Sequence, residues 1–503
     1  MLTTATRFLP TLLVAFVALA TTPAHAKDYF LTIGGGYNPT GNQISLEKNV
    51  LYFQRLLHDF GRDGDPHAIF FADGRHKGRD LQYEDPTFTG PRVLELLAVI
   101  TNDTKGLRHQ YRSHEVPHVK GPSDVRELDK WFDTVGPTLT PDDRVFIYAT
   151  AHGGRGDNKT KHNTKLYLWN NQSIYVRDFV ARLDKLPGDT PVVLVMVQCF
   201  AGGFANIIFE QGDPEKDLSP SRRCGFYATV HTRPAAGCTP DINEANYREY
   251  STYFWEAIYG KTRLGDPVTR PDYDGDGRVS LAEAHGYTII HSDTIDIPVK
   301  TSDELLRKFS KTEDKKIDGL LTPESKYDDL LATAGPIDTA VLNQLCERLK
   351  IEGDNRAKAA RDRTKEDEDQ RKKLAGEKSK LGKEYDAIRK RIYAALRSRW
   401  PEIGNRWHPR VEEAIQNEGD QIVKLIEGHR EFNKLKELAQ KQHDLETQRL
   451  DHERDWVKCQ RVLRVLENVA LAANLSKVAP DRQADYAALL ERESAVLGPV
   501  AAE

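Results

Sequence analysis

Short apolar and β-branched runs alternate with segments of helical spacing from Tyr29 to about Gly260. Four of the runs, 29–33, 67–71, 144–150 and 191–197, predict strands. The last two, Val145-Phe146-Ile147-Tyr148-Ala149-Thr150 and Val192-Val193-Leu194-Val195-Met196-Val197, are apolar on both faces, the pattern of a parallel strand buried under helices on each side. Segments 46–57, 125–132 and 176–183 place apolar residues at helical intervals between them. Strands alternating with helices predict an α/β fold: a mostly parallel sheet flanked by helices and joined by right-handed connections. Gly34-Gly35-Gly36 follows the first run without the Lys-Ser/Thr or the spaced glycines of a phosphate loop, and reads as a turn.

The periodicity stops near residue 261. A Pro-, Asp- and Gly-rich extension over 262–300 is followed by a charged, irregular linker over 301–338. From 339 to 474 the chain is helical in character and dense in Lys, Glu, Arg and Asp. Apolar positions recur there at near-heptad spacing: Leu374, Leu381, Tyr385, Ile388 and Ile392, then Ile415, Ile422, Ile426, Leu435, Leu438 and Leu445. With breakers confined to 400–409, the pattern predicts a long antiparallel helical hairpin with one tight turn. A flexible tail is expected over 475–503.

The first 26 residues read as a secretory leader: Arg7, an apolar run over 9–20, and Ala24-His25-Ala26 before Lys27. That run is too short to span a bilayer comfortably and no other segment approaches the required length, so the mature chain is expected to be secreted or periplasmic, with no transmembrane segment. The formal net charge of −4 excludes the basic footprint of a nucleic-acid binder.

Two strand ends carry the chemistry. One finishes in Ala151-His152-Gly153-Gly154, the other in Gln198-Cys199-Phe200-Ala201-Gly202-Gly203. In an open parallel sheet, reactive groups sit beyond the C-terminal ends of the strands, where His152 and Cys199 can face each other. An imidazole beside a thiol can take its proton or stabilise the thiolate. The N–H groups of Gly153 and Cys199 are candidate oxyanion donors.

A strand then His-Gly, followed 47 residues later by a strand then Cys and a glycine turn, resembles the caspase/legumain superfamily of cysteine peptidases, and the legumain type in particular. The resemblance covers about 27–261, with Ala228–Pro234 as the strand and Tyr250–Gly260 as the helix after the nucleophile. It implies a caspase-like fold and hydrolysis of peptide bonds in a protein or peptide substrate through a Cys199-His152 dyad and a thioester. Asn42 stands where legumain-type enzymes place an Asn that orients the histidine. Val197 departs from the Gln or acid that these families place two residues before the nucleophile, so their specificity residues do not transfer; Gln198 and Arg233 are candidate pocket residues.

Asp272, Asp274, Asp276, the Arg278 carbonyl, Ser280 and Glu283 fall at positions 1, 3, 5, 7, 9 and 12 of an EF-hand loop, the oxygen set that surrounds a structural calcium ion. Pro267 and Pro271 remove the entering helix, while 281–291 can form the exiting one. Cys346 and Cys459 lie almost symmetrically about the predicted turn, so a disulfide between them would cross the hairpin. Cys224 and Cys238 would make a second bridge and leave Cys199 free; the alternative is that all five thiols stay reduced. Against the peptidase stands a second reading, a catalytically inactive caspase-like scaffold whose hairpin binds a protein partner or makes oligomers.

Overall fold

The two runs that are apolar on both faces become the centre of a six-stranded sheet. The computed structural model describes residues 27–498 apart from 105–106, 314–316 and 406; the predicted leader lies outside the described residues. In chain order come β1 (Asp28–Gly35), α1 (Ile44–Asp59), β2 (His67–Phe71), β3 (Leu81–Glu84), α2 (Arg92–Thr101), β4 (His109–Arg112), α3 (Val125–Val135) and β5 (Arg144–Ala151). Next are β6 (Gly153–Gly154), β7 (Lys165–Leu168), β8 (Gln172–Tyr175), α4 (Val176–Leu183), β9 (Val192–Met196), β10 (Arg223–Tyr227), α5 (Tyr250–Tyr259), α6 (Leu281–His291) and β11 (Val299–Lys300). The rest is helical: α7 (Thr301–Phe309), α8 (Tyr327–Leu331), α9 (Pro336–Leu349), α10 (Arg356–Arg399), α11 (Pro409–Glu427), α12 (Phe432–Val478) and α13 (Gln483–Glu493).

The sheet order is β11-β10-β9-β5-β1-β2, parallel throughout except for β11. Every residue of β9 is buried, as is β5 beyond its first position, because helices cover both faces. Phe53 of α1, Tyr148 of β5 and Trp255 of α5 pack within 4.6–5.1 Å on one face. α3 and α4 pack together on the other, the side that right-handed crossovers assign them. Strand order reverses between β1 and β5. The loops after those two strands therefore diverge and leave a crevice at the C-terminal edge.

Four expectations need correction. The strand after Cys199 is Arg223–Tyr227, not 228–234: all five of its residues are buried, and 228–234 forms the loop beyond it. The stretch expected as a linker holds two helices, α7 and α8, and the start of α9. The tail folds as α13, which packs on β10 and α7 and buries Glu493 against Lys300, Thr301 and Ser302.

The hairpin is also not a simple one. α10 and α12 are its arms, about 66 and 70 Å long at 1.5 Å per residue. Between them the chain breaks a second time at 428–431, and α11 folds out to cover α2. Ile388, Ile392, Leu396, Ile422 and Ile426 join Val93, Leu96, Leu97 and Ile100 in one apolar cluster. The hairpin's apolar stripe is thus spent within the chain. Among the described residues, no helix is long and apolar enough to cross a membrane.

Candidate active site

Register brings the two reactive residues side by side. Tyr148 pairs with Val195 and Ala149 with Met196, an offset of 47, and His152 and Cys199 share that offset. Carried past the strand ends, it sets them on neighbouring strands, about 4.8 Å apart across a sheet. The backbones do meet there. A Cβ on Gly153 would lie 2.1 Å from the Cys199 carbonyl oxygen and 2.6 Å from Gln198 Cγ, so only glycine fits. Phe200, directly after Cys199, takes the left-handed conformation (φ 60°), a cost of about 1–2 kcal/mol for a residue with a Cβ. That turn ends β9 abruptly and leaves Cys199 at the sheet edge.

His152 is held from the far side of the crevice. Its Nε2 donates to the Gly41 carbonyl (2.8 Å) and reaches Gln43 Oε1 (2.9 Å). Both partners are acceptors, so Nε2 carries the proton and Nδ1 is left as the basic nitrogen. Tyr37 meets the imidazole edge-on at 5.2 Å. Asn42, expected to orient this histidine, does not touch it. It is fully buried, accepting from Gly36 N–H (3.0 Å) and donating to Asp80 (3.2 Å). It acts on the loop instead: a Cβ at Gly36 would strike the Gly41 carbonyl at 2.1 Å, so Gly36 and Asn42 together seat the carbonyl that holds His152.

The Cys199 sulfur accepts the Ala235 N–H at 3.3 Å. Burial pushes its thiol up from the ordinary value, and Asp296 adds to the rise; the N–H groups of Ala235 and of Cys199 itself oppose it. Burial lowers His152, against the Gly41 hydrogen bond. Both shifts favour the uncharged forms, a neutral thiol and a neutral imidazole. Alkylation of Cys199 by iodoacetamide should therefore keep accelerating beyond about pH 8.5, the ordinary thiol midpoint. A plateau between about pH 5 and 8, the signature of a preformed thiolate, would contradict the neutral pair.

The candidate pocket residues are placed differently. Gln198 is 1% exposed, its side chain packed on Gly153 with neither amide atom partnered within the protein; it faces inward because the strand end is closed by β6. Arg233 is engaged by the hairpin: it donates to Glu453 at 2.6 Å and stacks on Trp456 at 4.8 Å. Gly41, Gln43, Ala235 and Asp296 carry no signal in the sequence. The first and third act through the backbone, and the others meet their partners only in the fold.

Neither expected disulfide forms; all five cysteines are free. Cys224 opens β10 near Arg492 and Glu493, whereas Cys238 lies past the opposite end of that strand near Cys199 and Glu249. Cys346 sits on α9 against Tyr327 and Arg356, and Cys459 faces Thr364 of α10. The symmetric count fails because the outgoing arm begins only at Arg356.

In the acidic loop, the carboxylates of Asp272, Asp274 and Asp276 converge within 4.8 Å. Ser280 and Glu283 are drawn into a capping box at the start of α6, and Glu283 also accepts from the N–H of Tyr273 (2.6 Å). Arg278 turns its side chain back on Asp276 at 3.4 Å. Compared with known protein families and with curated proteins, the chain matches none.

Proposed function

We propose that the chain is an exported cysteine endopeptidase of the caspase/legumain kind. The observation that carries this reading is the shared register of His152 and Cys199 beside the point where strand order reverses, with Nε2 committed to Gly41 and Nδ1 left as base. In the reaction, Nδ1 takes the Sγ proton as the sulfur attacks the scissile carbonyl carbon. The Cys199 and Gly153 N–H groups are the donors assigned to the resulting oxyanion. The imidazolium returns its proton to the leaving amine, the C–N bond breaks, and a thioester remains. Water, deprotonated by the same nitrogen, then releases the acid and restores the thiol.

A peptidyl electrophile tests this against the inactive scaffold. Labelling of Cys199 in the folded chain but not after denaturation, together with cleavage of a peptide library, is the expected result. A folded chain that neither labels nor cleaves is a scaffold.

The three converging aspartates fit a calcium ion, with Glu283 needing to leave its capping contacts to complete the shell. At about 10 mM calcium and the affinity of extracellular modules, linkage gives roughly 1.4–2.7 kcal/mol of stabilisation. A rise of a few degrees in Tm that Asp274→Asn removes is expected; equal Tm with calcium and with chelator would argue against the site.

A further inference from the structure

The loop that touches the sulfur is itself fastened by a buried carboxylate. Ala235 and Ala236 are consecutive. The first donates its N–H to Cys199 Sγ at 3.3 Å, the second to Asp296 Oδ1 at 2.7 Å. Asp296 is fully buried and its other oxygen has no partner within the protein. It lies in the segment between α6 and β11, which α12 holds from outside. Arg461, 1% exposed, donates to the carbonyls of Asp296 (2.8 Å), Ile289 (3.0 Å), Ser292 (2.8 Å) and Thr294 (3.4 Å), and to Thr294 Oγ1 (3.0 Å).

We propose that Asp296 is a positioning residue for the nucleophile: its carboxylate fixes the Ala235–Ala236 peptide so that the Ala235 N–H is aimed at the sulfur, and Arg461 of α12 fixes Asp296 in turn. The inference rests on the peptidase reading for its catalytic consequence, but the geometry it concerns is that of the thiol alone. The arrangement does two opposed things to the sulfur. The aimed N–H favours the thiolate, while the carboxylate's own charge disfavours it. Burial pushes Asp296 up to about 7, with Arg461 pulling down and Glu249 pushing up; Tyr250 of α5 also faces the carboxylate. Over the alkaline range in which the thiol titrates, Asp296 is therefore ionised. Hydrogen-bond donation aimed at the sulfur is kept at the expense of a nearby negative charge, which is the arrangement expected if the acid is there to hold the loop.

Two substitutions separate the effects. Asp296→Asn keeps an oxygen for the Ala236 N–H and removes the charge. Asp296→Leu removes both. The readout is the pH profile of Cys199 alkylation by iodoacetamide in the full chain. The Asn variant is expected to titrate below wild type, by about half to one pH unit, so that alkylation at pH 8.5, where the wild-type acid is ionised, is roughly three- to eightfold faster. The Leu variant is expected to titrate above the Asn variant, because both have lost the charge and only Leu has lost the anchor. Superposed Asn and Leu profiles overturn the proposal, as does an Asn profile unchanged from wild type. Where Leu prevents folding, Ala235→Pro deletes the N–H directly, and its profile must move upward from wild type; an unmoved profile again overturns it. Peptide hydrolysis read in parallel keeps the two questions apart: the expected thiol titrations in a chain that cleaves nothing would sink the peptidase alone.

Discussion

Cys199→Ala is expected to lower peptide hydrolysis by at least about 10⁴-fold while leaving the folded chain intact, since members of a catalytic unit contribute factors of this size or more. His152→Ala should fall to nearly the same residual rate, and the double variant no further, because in the proposed reaction the two act in one step and their losses do not add. The fold should tolerate both changes. The Cys199 side chain makes only sulfur contacts with Ala235, and the His152 change removes the hydrogen bond to the Gly41 carbonyl, worth about 1 kcal/mol. Initial rates on a cleavable peptide, with far-UV circular dichroism as the check on folding, decide the matter. Activity in Cys199→Ala within tenfold of wild type would refute the assigned nucleophile.

The largest effect on stability is expected from Arg461→Ala. The side chain enters the interface between α12 and the segment 289–296 and satisfies four buried carbonyls there. Its removal leaves those oxygens without a donor and opens a void where a guanidinium was packed. Truncating one member of a buried charged network costs about 3–5 kcal/mol. Arg461→Lys should recover only part of that, since an ammonium lacks the planar fork that spans carbonyls on two sides. Urea unfolding measures both; a loss below about 1 kcal/mol for the alanine variant would mean that water replaces the contacts.

Much of the α/β half was legible because burial on both faces leaves an unambiguous trace. The runs at 144–150 and 191–197 have no polar alternation and can only be interior parallel strands. The spacing between His152 and Cys199 was legible too, and the structure gives it a physical meaning as the register offset of β5 and β9. Other features leave no trace. The Gly41 carbonyl and the Ala235 N–H are backbone groups that any residue supplies. The bond from Arg461 to the Asp296 carbonyl joins positions 165 apart, and Arg461 does not differ in kind from the many charged residues along α12. β11 is two residues long, too short for a period. The second break in the hairpin lies at 428–431, marked in the sequence only by Gly428, with no proline. The chain leaves the helix there because Ile422 and Ile426 find Val93 and Leu97 of α2, a partner more than 300 residues away.

α10 and α12 are tied down at both ends, to α2 by the apolar cluster at the tip and to the segment 289–296 by Arg461 at the base. A strut secured at two distant points cannot come away from one without loading the other. Trimming the C-terminal half would strip α2 of its cover and unfasten the loop at the Cys199 sulfur in a single cut. The boundary near residue 261 is thus one of composition alone, and the two halves should melt as one cooperative unit.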